Sequence, residues 1–182
     1  MHRRTVRISA LTAVVVIGAL VAFLITRPVQ QGATPVDSPL VGQVAPGLHA
    51  TTLSGAPVTL SSLRGHVVAL SFFASWCPPC RAEAPELASF AYRARAAPGA
   101  TRLYAVVYED SNAAAMGFVR SYGGTYPVLG DPGGSIALAY GVTGPPVTVV
   151  IDPAGRVAAV LDGAVTAAQL ESVTAAAARG AA

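Results

Sequence analysis

Cys77 and Cys80 are the only two cysteines in the 182-residue chain. They stand in Trp76-Cys77-Pro78-Pro79-Cys80-Arg81-Ala82-Glu83, after an apolar run and at the head of a stretch with helical periodicity. With Cys77 at or near the N-cap, Cys80 falls three residues on in the same turn, and both sulfurs share a face on which a disulfide can close. First-turn N–H groups have no helical partner, and together with the helix dipole they favour a thiolate. Pro78 suits the first helical position, and Pro79 still loses no intrahelical bond there. This is the chemistry of a dithiol that cycles between bonded and free forms. Cys77, ahead of the helix and expected to be the more exposed, attacks a substrate disulfide. Cys80, one turn in and more buried, then attacks Cys77 Sγ and releases the reduced substrate.

Competing chemistries have less support. An inert structural disulfide is the plain alternative. Zinc needs two further ligands, and His2, His49 and His66 form no cluster, so no metal is expected and no cofactor is called for. Every cationic side chain except histidine is arginine, which excludes lysine Schiff-base chemistry and a P-loop lysine.

Several residues around the dithiol are candidates for supporting roles. Glu83 lies three residues after Cys80; partly buried, it would be a proton acceptor for Cys80, whereas on composition alone it reads as an exposed first-turn glutamate. Glu86 has the same ambiguity and a weaker case. Trp76 would cover one side of the disulfide or simply pack in the core. Gly144-Pro145-Pro146-Val147-Thr148 precedes a strand, where a proline invites a cis bond, though local physics does not say which proline.

The elements that must position these residues can be read from periodicity. Leu48–Leu53 and Val58–Leu60 flank Ser54-Gly55-Ala56-Pro57 as a small hairpin. Val67–Phe73, broken only by Ser71, reads as a strand covered on both faces. Cys80–Ala97 is an amphipathic helix with an expected kink at Pro85. Leu103–Tyr108 is a strand, Glu109-Asp110-Ser111-Asn112 supplies caps for a helix over Ala113–Tyr122, and Tyr126–Leu129 is a short strand. Ile136–Tyr140 is a short helix. Pro146–Ile151 and Arg156–Leu161 form a hairpin around Asp152-Pro153-Ala154-Gly155, and Thr166–Ala178 closes the chain as a helix capped by Thr166. Crossovers plus a hairpin predict an α/β fold with a mixed sheet flanked by helices.

The amino terminus carries a separate signal. His2-Arg3-Arg4-Thr5-Val6-Arg7 is a basic leader, and the nineteen residues Ile8–Thr26 carry no charge. As a helix they would be about 28 Å long, close to the thickness of a bilayer core. Three arginines before the span and Arg27 after it place the remainder outside the cytoplasm. The expected organisation is a leader and signal-anchor over 1–27, a linker over 28–44, the folded domain over 45–179 and a tail over 180–182. A signal peptide cleaved near Gln31-Gly32-Ala33 is the competing reading. Beyond Arg27 eight arginines face nine acidic residues. Such near-neutrality speaks against nucleic acid.

The stretch Trp76–Glu83, with Gly144–Thr148 later, resembles the membrane-anchored, extracytoplasmic thioredoxin-like proteins of bacteria. These are the cytochrome c maturation and sporulation thiol-disulfide reductases, also described as redoxin or AhpC/TSA-like. The resemblance covers about Val44 to Val173 and implies a thioredoxin-like fold with an N-terminal β-hairpin and a helical insert. It implies attack by Cys77, resolution by Cys80, a cis-proline at Pro146 beside the disulfide, and substrate backbone pairing around Pro145. It also matches Glu83 to a glutamate that such reductases keep near the dithiol. Ser71 stands where cytoplasmic thioredoxins carry a buried aspartate. Val147 replaces an acidic residue common in cytochrome-maturation members, a departure that weakens a haem-protein assignment. The implied partners are protein disulfide substrates and a membrane electron-donor thiol protein, with the chain acting as a monomer. A disulfide-forming oxidant uses the same chemistry at a higher potential, and a tethered binding module would keep the disulfide as a structural one. Peroxidase or copper-handling relatives fit less well.

Overall fold

The computed structural model describes residues 16–19, 32–95 and 101–180. The chain divides into two compact units, 1–31 and 32–182. In the first, residues 16–19 are helical; the rest of the expected span over Ile8–Thr26 lies outside the described residues. Among the described residues no helix is long and apolar enough to cross a membrane.

The second unit is built on a six-stranded sheet. In chain order its elements are β1 (Thr34–Pro35), the hairpin β2 (His49–Thr51) and β3 (Pro57–Thr59), β4 (Val68–Phe73), α1 (Pro78–Ala94), β5 (Arg102–Val107), α2 (Asn112–Ser121), β6 (Val128–Leu129), α3 (Ser135–Ala139), β7 (Val147–Ile151), β8 (Val157–Asp162) and α4 (Ala167–Ala178). The sheet order is β1-β8-β7-β4-β5-β6, with β2 and β3 forming a separate ribbon. Strand β4 pairs parallel with β5 and antiparallel with β7, so the sheet is mixed. Parallel neighbours need a crossover, which α1 supplies; β7 and β8 need only the turn at Asp152–Gly155.

Alternation along the central strands divides the core into two layers. Ala69 and Phe73 of β4, with Val150 of β7 and Leu161 of β8, pack under α1 and α4 against Leu87, Phe90 and Leu170. Val68, Leu70 and Phe72 face the other way, with Val149 and Ile151, towards Leu48 of the hairpin segment and Ile136 and Tyr140 at α3. All six residues of β4 are buried, as expected of a strand covered on both sides.

One expectation needs adjusting. The stretch read as a linker over 28–44 is partly sheet: Thr34 and Pro35 pair with Asp162 and Leu161, Val41 bridges to Val157 of β8, and Val44 bridges to Arg156 just before it. The open edge of β8 has unpaired backbone groups, and this segment satisfies them. Helix α1 runs from Pro78 to Ala94 with Pro85 inside it.

Candidate active site

Strand β4 points its carboxyl end at the reactive pair. After Phe73 the chain turns through Ala74-Ser75-Trp76, and Cys77 becomes the N-cap of α1 with extended backbone angles. Its sulfur accepts the N–H of Cys80 at 3.2 Å. Prolines occupy the first two helical positions, so their N–H donors are absent and Cys80 supplies the described hydrogen bond. Cys77 and Cys80 are joined as a disulfide, with Cα atoms 5.3 Å apart.

The loop before β7 closes over this pair. The Pro145–Pro146 peptide is cis, at the position the resemblance implied. The carbonyl oxygen of Pro145 lies 3.6 Å from Cys77 Sγ. Pro146 is buried, whereas Pro145 is partly exposed, and Pro78 and Pro79 are exposed. Trp76 is about half exposed, at 51 %, and its indole N–H donates to the carbonyl of Glu109 at 3.2 Å. An exposed apolar rim of Trp76, Pro78, Pro79 and Pro145 therefore borders the disulfide. The sulfurs themselves are covered: Cys77 is 2 % exposed and Cys80 1 %. The expectation of an exposed Cys77 is corrected in this disulfide state, because the proline loop packs directly on its sulfur.

Glu83 is the second correction to a composition-based reading. It is buried rather than solvent-facing. Its Oε1 accepts the N–H of Val165 at 3.1 Å, and Ser71 Oγ lies 3.5 Å from its Oε2. Burial pushes its carboxyl up to about 8, with the Val165 and Ser71 contacts pulling weakly the other way. A group poised near neutrality can both take and return a proton. Tyr126 is close enough for a charge on Glu83 to add to the upward push that burial gives its phenol. Glu86 resolves differently: its Oε2 accepts the N–H of Ala167 at 2.8 Å and so caps the start of α4.

Four contributors were not singled out from the sequence. Asp110 accepts the N–H of Ser75 at 2.7 Å and that of Ser111 at 2.7 Å. Glu109 has φ 43°, in the left-handed region, which turns its carbonyl towards Trp76. Thr148 sits opposite Ser71, and Val165 supplies the N–H to Glu83. The run Glu109–Asn112 carried only a capping signal, and the structure does use Ser111 as the α2 cap. Nothing in local spacing links residue 110 to residue 75; parallel pairing of β4 and β5 does, because the loops after both strands leave at one edge. Among the described residues no cluster of metal-ligating side chains is present.

Comparison with known proteins agrees with this geometry. Residues 41–160 match the model of the AhpC/TSA family. The thiol:disulfide interchange protein DsbE homolog of Paracoccus denitrificans is 40 % identical over 125 residues, 67 % of this chain and 66 % of that protein. The thiol-disulfide oxidoreductase ResA of Bacillus subtilis is 34 % identical over 125 residues, 69 % of each chain. A crystal structure of a secreted Mycobacterium tuberculosis disulfide oxidoreductase homologous to E. coli DsbE superposes with a TM-score of 0.63 at 32 % identity, covering 71 % of this chain and 95 % of that one. With its helix-capping disulfide and cis-proline loop, the chain belongs to the AhpC/TSA family, and its folded part is a thioredoxin-fold thiol-disulfide oxidoreductase domain.

Proposed function

We propose that the protein is a reductase of disulfides in extracytoplasmic proteins. Cys77 thiolate attacks a substrate disulfide, forming a mixed disulfide and expelling one substrate thiolate. Glu83 takes the proton of Cys80, and Cys80 then attacks Cys77 Sγ. This expels the second substrate thiolate and leaves the Cys77–Cys80 disulfide. In the return half-cycle a membrane electron-donor thiol protein reduces that disulfide, and Glu83 gives its proton back to Cys80. Trp76, Pro78, Pro79 and Pro145 form the rim on which substrate lies, with Pro146 holding the loop in place. The basic leader and apolar span hold the domain on the outer side of the membrane as a monomer. The disulfide between the paired cysteines of an apocytochrome is one substrate to assay.

The observation that carries this reading is the small donor set around Cys77. A strong oxidant has a heavily stabilised thiolate, which makes its reduced form the favoured one. Here Pro78 and Pro79 remove two donors from the helix entrance. A thiolate with fewer donors is less stabilised, which favours the disulfide and lowers the potential. Equilibration of the Cys77–Cys80 pair against glutathione or dithiothreitol buffers tests this. A value near or below about −250 mV is expected for a reductase; one near about −120 mV would make the protein an oxidant.

A further inference from the structure

Strands β4 and β7 bury two polar side chains, Ser71 and Thr148. The antiparallel register sets them directly opposite each other, so they share a face with Cβ atoms about 5 Å apart. That face is the layer under α1 and α4: Ala69 and Phe73 flank Ser71 on it, Val150 follows Thr148, and Cys77 and Cys80 belong to it. Ser71 Oγ points at Glu83, 3.5 Å from Oε2. Thr148 Oγ1 is fully buried and has no hydrogen-bond partner.

An unpaired buried hydroxyl is destabilising, because it gives up its bonds to water and gains none in return. Valine has the same shape and would avoid that cost, and Val147, Val149 and Val150 surround the position in the same strand. The hydroxyl therefore weakens packing in the disulfide state, and its use must lie in another state of the site. Ionisation of Glu83 supplies one. A carboxylate has room for more donors than Val165 N–H alone, and hydrogen bonds to a charged acceptor are about twice as strong as neutral ones.

We propose that Thr148 is a positioning residue for Glu83: its hydroxyl and that of Ser71 form a cross-strand donor pair that turns onto the carboxylate when the proton leaves. Thr148 Oγ–H donates to Ser71 Oγ, and Ser71 Oγ–H donates to Glu83 Oε2. The inference rests on the proton exchange between Cys80 and Glu83 described above. In the resolving step the proton moves from Cys80 Sγ to the carboxylate, the hydroxyls relax, and no electrons pass through the pair. Glu83 contacts Ser71 on β4 and Val165 before α4, and Tyr126 before β6 is near enough to sense its charge; Cys80 and Glu86 stand three residues to either side of it on α1, and Thr148 on β7 lies across from Ser71. Glu86 is already engaged by Ala167 N–H, and the Tyr126 phenol stays protonated throughout the working range.

The test uses the full chain in detergent, with Thr148→Val, Thr148→Ser and Glu83→Gln variants. The Glu83 carboxyl is followed by 13C NMR across pH in the reduced protein, beside the pH profile of disulfide reduction. Thr148→Val is expected to move the Glu83 midpoint and the profile upward by about one pH unit. Thr148→Ser, which keeps the hydroxyl, is expected to restore both. An unchanged midpoint in folded Thr148→Val overturns the inference. Should that variant not fold, Ser71→Ala carries the same expectation and the same refutation. If Glu83→Gln leaves the parent profile intact, the proton-exchange reading fails and takes this inference with it. If Glu83→Gln alters the profile and Thr148→Val does not, only the hydroxyl pair is refuted.

Discussion

The carboxylate of Asp110 accepts the backbone N–H of Ser75 at 2.7 Å, tying the turn that carries Cys77 to the loop after the neighbouring strand. Trp76 Nε1 and the Glu109 carbonyl make a second tie between the same two loops. The reactive turn is thus held from outside its own segment. Partial burial alone would raise the Asp110 carboxyl, but the hydrogen bonds from Ser75 and Ser111 together outweigh it and leave it below the usual carboxylate range. A depressed carboxylate contributes stability above its unfolded value, and that contribution disappears as pH falls through its folded value. Asp110→Ala is therefore expected to lower stability by about 1 kcal/mol at neutral pH. The loss should shrink as pH falls below the ordinary carboxylate range and through the lower folded value, as chemical denaturation at neutral and acidic pH would show.

Glu83 has the opposite sign. Its folded value, about 8, lies above the ordinary 4.5, so between the two the folded protein holds a proton that the unfolded chain has released. Stability from this group is complete below the unfolded value and is lost progressively as pH rises towards 8. Glu83→Gln is expected to flatten the decline and to be more stable than the parent at pH 9. Urea midpoints from pH 5 to 9 would show it; parallel curves for the two proteins would contradict the buried carboxyl.

Differences between the two sulfurs should emerge on reduction. Cys77 caps α1 beside the exposed rim of Trp76 and the prolines, whereas Cys80 lies buried in the first turn of the helix. Reduced protein is expected to lose its Cys77 thiol first to iodoacetamide, by at least about tenfold in rate. Cys80→Ala should accumulate a stable Cys77 mixed disulfide with substrate, visible on a non-reducing gel. Cys77→Ala should accumulate none.

Among the described residues, two polar contacts of unequal worth join helices α1 and α4. Arg93 and Glu171 form an ion pair at 2.5 Å with both side chains nearly half exposed, and Arg93→Ala is expected to cost no more than about 0.5 kcal/mol. Glu86 instead receives an N–H that α4 cannot satisfy itself, so Glu86→Ala should cost about 1 kcal/mol. Thermal melts of the two variants at low and high salt separate them, since salt should erase the Arg93 effect.

Much of this protein is written in its local sequence. The dithiol spacing, prolines that cannot sit deep in a helix, and the unbroken apolar run of β4 fix a strand–disulfide–helix unit by short-range sterics and periodicity. The caps Ser111 and Thr166 were legible for the same reason, each accepting an N–H three residues on. Pairing between distant strands was not, because register depends on contacts no window of sequence contains. Only the assembled sheet set Thr148 against Ser71, brought Asp110 to Ser75, and drew Thr34 and Pro35 onto the edge of β8. The burial of Glu83 belongs to that second class. Its position on the helix came from spacing, but its environment came from the layer that α1, α4 and the sheet enclose together.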